Sequence, residues 1–287
     1  MPGRHSWPVA IVMLLLWTVP ALAAPQHVVS TSLCTDEYVF RLLPRERIAA
    51  LSVLAGDTHP VVSTIADRVK GMALIRPSAE TVLAKHPDLV VMYEGTDPRL
   101  RAQLRQAGVK VLEVPWANSL AEVRKVTLML GGKLGVPARA RELVNAMDTR
   151  LAAARTVAAT PPVSAVIYEP NGYVTADSLS NEILAQAGLR NVAGRMHPTR
   201  MRTLPVETVV ASAPELLILN APRETTPARA DLVLQNPALA SLQGRSLIVH
   251  AALMPLLCPG PWSVDVAGEL ARMGQEARAL AARRAAH

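Results

Sequence analysis

The sequence predicts an α/β protein: two lobes of mainly parallel strands and helices, joined by a long helical segment. Three observations predict it. Short apolar, β-branched runs alternate with helical stretches up to Val114. The alternation stops over roughly residues 119–156 and resumes after Pro161-Pro162. Finally, a segment of the first half recurs in the second half.

Each element has its own signal. Residues 28–32 read as the first strand, and 35–43 as a short helix that Pro44 closes. Residues 48–53 read as the next strand. Ser78 is a plausible cap for a helix over 78–85, which Pro87 and Asp88 break before a buried strand at 89–92. Asp97-Pro98 pairs a cap with a first-turn proline, so a helix runs from there to Ala107-Gly108, ahead of a strand at 109–114. Ser119 and Glu122 have capping-box spacing. Leu143, Met147 and Leu151 then repeat every four residues, which predicts an amphipathic helix or a broken pair with Gly131, Gly132 and Gly135 as the break. Strands at 164–168, 216–220 and 246–249 alternate with helices at 179–187, ended by Gly188, and 205–211. A closing helix is expected over 264–284, capped by Ser263. The boundaries that follow are an export signal at 1–23, a first lobe at 24–118, a helical linker at 119–160 and a second lobe at 161–287.

The signal reading rests on Arg4 and His5, an apolar stretch from about Val9 to Val19, and Ala21-Leu22-Ala23, with cleavage expected after Ala23. No Cys follows the apolar run, and no run of twenty apolar residues occurs after residue 25. Removing residues 1–23 takes one Arg and no acid from a formal net charge of +7, which leaves +6. The charge is dispersed and not interleaved with aromatics, which argues against nucleic acid as a partner. An exported chain with Cys34 and Cys258 invites one disulfide; two unrelated buried thiols are the alternative. Two cysteines alone do not make a structural zinc site.

In the repeat, residues 77–92 lie over 204–219 at one fixed offset. Glu80/Glu207, Thr81/Thr208, Val82/Val209, Ala84/Ala211 and Pro87/Pro214 coincide. Each copy reads as a short helix, a Pro-acid turn and a buried strand. The two glutamates fall in first turns, where the helix dipole favours a carboxylate. Pseudo-symmetry also makes them candidates for two cationic sockets of a two-fold symmetric partner.

Half of the residues are hydrophobic but only 3% are aromatic. The core is therefore aliphatic, and each aromatic is informative. Beyond Trp7 and Trp17 of the signal, Tyr93, Trp116, Tyr168, Tyr173 and Trp262 fall at or just after expected strand ends.

The order and spacing of these segments resemble the periplasmic solute-binding proteins of ABC importers for vitamin B12, iron-siderophores and haem. The residues that carry the resemblance are Val28-Val-Ser-Thr-Ser32, Glu80 with His86-Pro-Asp-Leu-Val-Val91, 108–114, the helical linker, 181–192, and Glu207 with Pro214-Glu-Leu-Leu-Ile218. It spans about residues 26–275. The resemblance implies two Rossmann-like lobes joined by a long rigid backbone helix, with a ligand groove between them. It implies that Glu80 and Glu207 dock on arginines of a permease dimer at the inner membrane. The groove would be lined by loops beginning at Leu33, Leu54, Tyr93, Pro115, Glu169 and His250, with 196–202 as a rim, as the rule for open α/β sheets also expects.

On that frame the expected ligand residues are Tyr93, Trp116, Tyr168, Tyr173, Arg200, Arg202, Met254 and Trp262, with His197 beside the arginines and Arg76 facing them. Both cysteine loops would line the groove, so a Cys34–Cys258 disulfide is expected. Its loop-closure contribution is about 4–5 kcal/mol before strain. Haem relatives often place a tyrosine iron ligand seven residues before the first glutamate; here that residue is Ala73, beside Met72, which disfavours haem. The expected ligand is a ferric siderophore first and a cobalt corrinoid second, bound by a monomer with no resident cofactor or metal. The alternatives are a zinc or manganese binder using His59, His197 and His250, a haem binder, and a cleft enzyme. No Gly-x-Ser-x-Gly, His-Glu-x-x-His or phosphate-loop motif supports the last.

Overall fold

The computed structural model describes residues 24–59, 62–193, 201–221 and 229–286, with the backbone alone for Met201 and Arg202. The expected export signal, Arg200 and His197 lie outside the described residues. Among the described residues no helix is long and apolar enough to cross a membrane.

The first sheet holds β1 (Val28–Ser30), β2 (Ile48–Ser52), β3 (Leu74–Ile75), β4 (Leu89–Tyr93) and β5 (Val111–Val114) in the order β3-β2-β1-β4-β5. All its pairings are parallel. Helices α1 (Leu33–Leu42), α2 (Ala79–Leu83) and α3 (Pro98–Gln106) supply its crossovers. The second sheet holds β6 (Val163–Tyr168), β7 (Tyr173–Thr175), β8 (Leu189–Asn191), β9 (Met201–Thr203), β10 (Leu216–Leu219) and β11 (Leu247–His250). Its order is β11-β10-β6-β7-β9, with β8 on β6. Here β7 runs antiparallel to β6 and β9, which makes this sheet mixed. Helices α6 (Ser178–Gln186) and α7 (Val206–Ser212) pack on it.

Between the sheets run α4 (Leu120–Lys133) and α5 (Pro137–Thr156). Of the expected alternatives, one long backbone helix or a broken pair, the broken pair forms, with the break at 134–136. Gly135 takes it with φ +71°, a backbone conformation that side chains resist. Gly131 and Gly132 stay helical. Gly131 serves a close approach instead: a Cβ there would meet Ala140 Cβ at 2.3 Å. Met147 and Leu151 are buried as the four-residue period predicts. The last helix, α8 (Ala267–Ala285), starts later than expected because a 3-10 turn, Pro261–Val266, precedes it. Ser263 belongs to that turn, where its Oγ accepts from Gly260 N at 3.0 Å and donates to Cys258 O. It does not cap α8.

The repeat is present in three dimensions. Helix α2 leads into β4, and α7 leads into β10, by the same turn. His86 and Ala213, at equivalent positions before a proline, both take positive φ, +46° and +41°. The αR region is disfavoured for a residue before proline, and the left-handed one is adopted only at a cost. The two tips share that strained turn as well as sequence. Glu80 and Glu207 are both exposed in their first turns.

Strand parity sorts the core. Val163, Ala165 and Ile167 face the large cluster that also takes side chains from the first lobe and from α4, α5 and α8. Val166 and Tyr168 face a separate cluster with Val209, Leu217 and Leu242. In the first lobe, Val91 and Tyr93 face the large cluster, whereas Val90 and Met92 face the outer one.

Candidate functional site

A cavity of about 770 Å³ lies between the lobes, beyond the carboxyl ends of β1, β5, β6 and β10. The first lobe contributes Leu33, Cys34, Trp116 and Ala117 to its wall. The second contributes the segment after β6 (Glu169, Pro170, Asn171, Tyr173, Thr175, Asp177), then Asn220 and the apolar turn of Leu253, Met254 and Leu257. The volume lies within the range of small-molecule sites, and the position is where open parallel sheets bind ligands.

Cys34 and Cys258 are bonded, with Cα atoms 5.1 Å apart across 224 residues of sequence. The bond joins the start of α1 to the loop after β11, so it ties the lobes at the cavity edge. Cys34 itself lines the cavity.

Three expected ligand residues reach the cavity. Trp116 and Tyr173 line it and remain 46% and 38% exposed, which leaves face available for a ligand. Met254 lines it beside them. Three others do not, and each has a physical reason. Tyr168 is the last residue of β6, and its parity turns it into the outer cluster. It has no exposed surface, and its hydroxyl donates to Leu204 O at 2.9 Å. Trp262 sits in the 3-10 turn, 2% exposed, edge-on to Tyr38 at 4.7 Å and beneath the Arg41 guanidinium. Tyr93 is 5% exposed and supports Trp116 from behind, ring centroids 5.3 Å apart. Its hydroxyl is buried without a hydrogen-bond partner among the described residues, and burial holds its pKa above the usual phenol range.

The basic rim stays largely undescribed. The backbone of Arg202 lies in β9, opposite Val174. Arg76 is exposed ahead of α2, where its carbonyl accepts from Thr81 Oγ1. His59 and His250 are both exposed. Among the described residues no three or more His, Cys, Asp or Glu are grouped as a metal would need.

The polar residues of the second wall were not singled out as ligands from the sequence. Glu169 and Asn220 are each the first residue past a strand. Parity carried one step beyond the strand points them to the large-cluster side, and that was the signal available. They hold each other: Asn220 Nδ2 donates to Glu169 Oε2 at 3.0 Å, and Leu253 N donates to Asn220 Oδ1 at 2.8 Å. Thr175 Oγ1 donates to the other Glu169 oxygen. Asp177 caps α6 through Ser180 N at 2.8 Å.

The neighbouring acids Asp36 and Glu37 point inward in α1. Asp36 accepts from Ser52 N at 3.1 Å and Ser52 Oγ at 2.5 Å. Its burial pushes the carboxyl up to about 7, against the hydrogen bonds of Ser30 and Ser52. Glu37 accepts from Thr64 Oγ1 at 2.6 Å and Arg41 Nε at 3.0 Å. Asp36 braces α1 to β2, Glu37 braces it to the loop at Thr64, and both lie off the cavity wall.

The chain is 28% identical over 180 residues to an uncharacterized ABC transporter substrate-binding lipoprotein, YvrC, of Bacillus subtilis (strain 168). That match covers 59% of this chain and spans 56% of the relative's length. The fold is similar to the periplasmic haem-binding protein RhuT from Roseiflexus sp. RS-1 in apo form, with a TM-score of 0.70 and 24% identity over 88% of this chain and 98% of that one. It is also similar to a periplasmic haem-binding protein from Pseudomonas aeruginosa, with a TM-score of 0.63 and 26% identity over 87% of this chain and 92% of that one. The periplasmic binding protein family model matches residues 28–243, most of the chain, and with the inter-lobe cavity this places the protein in the periplasmic binding protein family.

Proposed function

We propose that the chain is the exported substrate-binding component of an ABC importer. It captures a metal chelate in the inter-lobe cavity and hands it to an inner-membrane permease. One observation carries this reading: a cavity of about 770 Å³ walled by both lobes, with Trp116 on one side and Tyr173 on the other. Flat, partly apolar chelates suit such aromatic lining with a few fixed polar anchors. The ABC transporter relative supports the transport role, and the haem-binding relatives support a chelate as cargo. Ala73, exposed where haem relatives often place tyrosine, favours a ferric siderophore or a corrinoid over haem.

The paired helices α4 and α5 join the lobes without an extended hinge, so capture works by preformed complementarity with modest closure. Residues 1–23 direct export and are removed after Ala23. A monomer then docks through Glu80 and Glu207, one exposed carboxylate on each lobe tip.

The direct test is titration of the protein purified from periplasm with ferric siderophores, corrinoids and haem, together with its visible spectrum. Saturable binding of a chelate supports the reading. Binding of bare zinc or manganese, with no chelate bound, overturns it. Replacing Glu80 and Glu207 together by Ala should leave chelate affinity unchanged and abolish uptake; persistent uptake contradicts the docking assignment.

A further inference from the structure

The cavity wall carries a carboxylate that meets no counter-ion among the described residues. Glu169 lines the cavity, and its side chain forms no ion pair among the described residues. It is held in place. Asn220 Nδ2 and Thr175 Oγ1 each donate to one carboxylate oxygen. Asn220 is locked in turn, since its own oxygen accepts from Leu253 N at 2.8 Å and its amide nitrogen is thereby fixed as the donor. An ionised carboxylate has about four acceptor positions, so the two neutral donors found among the described residues leave acceptor capacity and match none of its charge. Asp177 adds a second carboxylate to the same wall. No Lys, Arg or His occurs among the described residues that line the cavity.

From this we infer that the site selects a chelate with no net negative charge that presents hydrogen-bond donors to Glu169: a cationic ferric hydroxamate or a neutral, amide-rimmed corrinoid. The inference rests on the reading of the cavity as a chelate site. An anionic chelate entering this wall brings like charges together as water leaves, which is costly. A donor-bearing neutral or cationic chelate instead completes Glu169 with charge-assisted hydrogen bonds. Glu169 also has a structural role, since its backbone N–H donates to Tyr173 O at 2.7 Å in the turn after β6. That role belongs to the main chain and survives a change of side chain.

The experiment uses the full mature protein and four probes: ferrioxamine B (cationic), cyanocobalamin (neutral), haemin and a ferric tris-catecholate (both anionic). The expected result is tighter binding of a non-anionic probe than of either anionic one. Glu169→Gln should weaken that binding at least about tenfold, the size of a lost charged hydrogen bond. Glu169→Asp should retain the preference, and Glu169→Lys should gain affinity for the anionic probes. A merely structural Glu169 would lower the unfolding midpoint in all three variants and leave the order of probes unchanged, which overturns the inference. So does wild-type preference for an anionic probe, including one lost in an Arg200→Ala/Arg202→Ala double variant but not in Glu169→Gln. Failure of all four probes to bind overturns the chelate-site reading itself, and this inference with it.

Discussion

On the first lobe's side the cavity presents Leu33, Cys34, Trp116 and Ala117; on the second lobe's side it presents Glu169, Asn171, Thr175, Asp177 and Asn220. The lobes share a plan, down to the strained turns at His86 and Ala213. They differ where β1 and β6 end. After β1 the chain enters α1, whose acids Asp36 and Glu37 turn inward and are satisfied by Ser52, Thr64 and Arg41. After β6 it makes a short antiparallel excursion through β7, and that excursion brings Glu169 and Thr175 to the cavity. The repeated part is scaffold and exposed lobe tips; the part that breaks the repeat holds the polar chemistry.

The largest effect should come from uncoupling the two walls. Cys34→Ala/Cys258→Ala removes the disulfide between them and should cost about 2–5 kcal/mol in denaturant unfolding. Unchanged stability would mean that the lobes are held by α4, α5 and the large core cluster alone.

The inward acid of the first lobe gives a pH signature of its own. The Asp36 carboxyl is raised to about 7 in the folded chain, above its ordinary 3.8, so the folded state binds the extra proton between those values. Its charge penalises folding above pH 7, and the penalty lifts as pH falls towards 4. Asp36→Asn should therefore remove a component of stability that rises on acidification, with a slope of at most about 1.4 kcal/mol per pH unit. Identical pH profiles for the two proteins would contradict the burial assigned to Asp36.

A smaller effect separates scaffold from site within the second lobe. Tyr168→Phe loses one buried hydroxyl bond to Leu204 O and should cost about 1 kcal/mol while leaving chelate affinity unchanged. Loss of affinity would put Tyr168 back in the binding wall.

This contrast also explains what was legible in the sequence. Caps and breakers set the elements: Ser78, Asp97, Ser119 and Gly188 sit where helices start or end. The disulfide followed from two cysteines in loops expected at one groove. The aromatics were harder. Tyr93 and Tyr168 end their strands, where the pleat fixes which face they take, and both faces there are core. Trp116 and Tyr173 fall past strand ends, free of that constraint, and reach the cavity. Trp262 is drawn inward by Tyr38 and Arg41, partners that only the folded chain brings near. Position near a strand end marks the right edge of the sheet; parity decides which side of it.

Tryptophan emission tests the central claim most directly. Among residues 24–287, Trp116 and Trp262 are the only tryptophans. In a Trp262→Phe protein, emission comes from Trp116 alone, 46% exposed at the cavity. A bound ferric or cobalt chelate should quench it saturably. In Trp116→Phe the buried Trp262 should show the weaker response. Saturable quenching in Trp116→Phe with none in Trp262→Phe would place the ligand elsewhere and contradict the account.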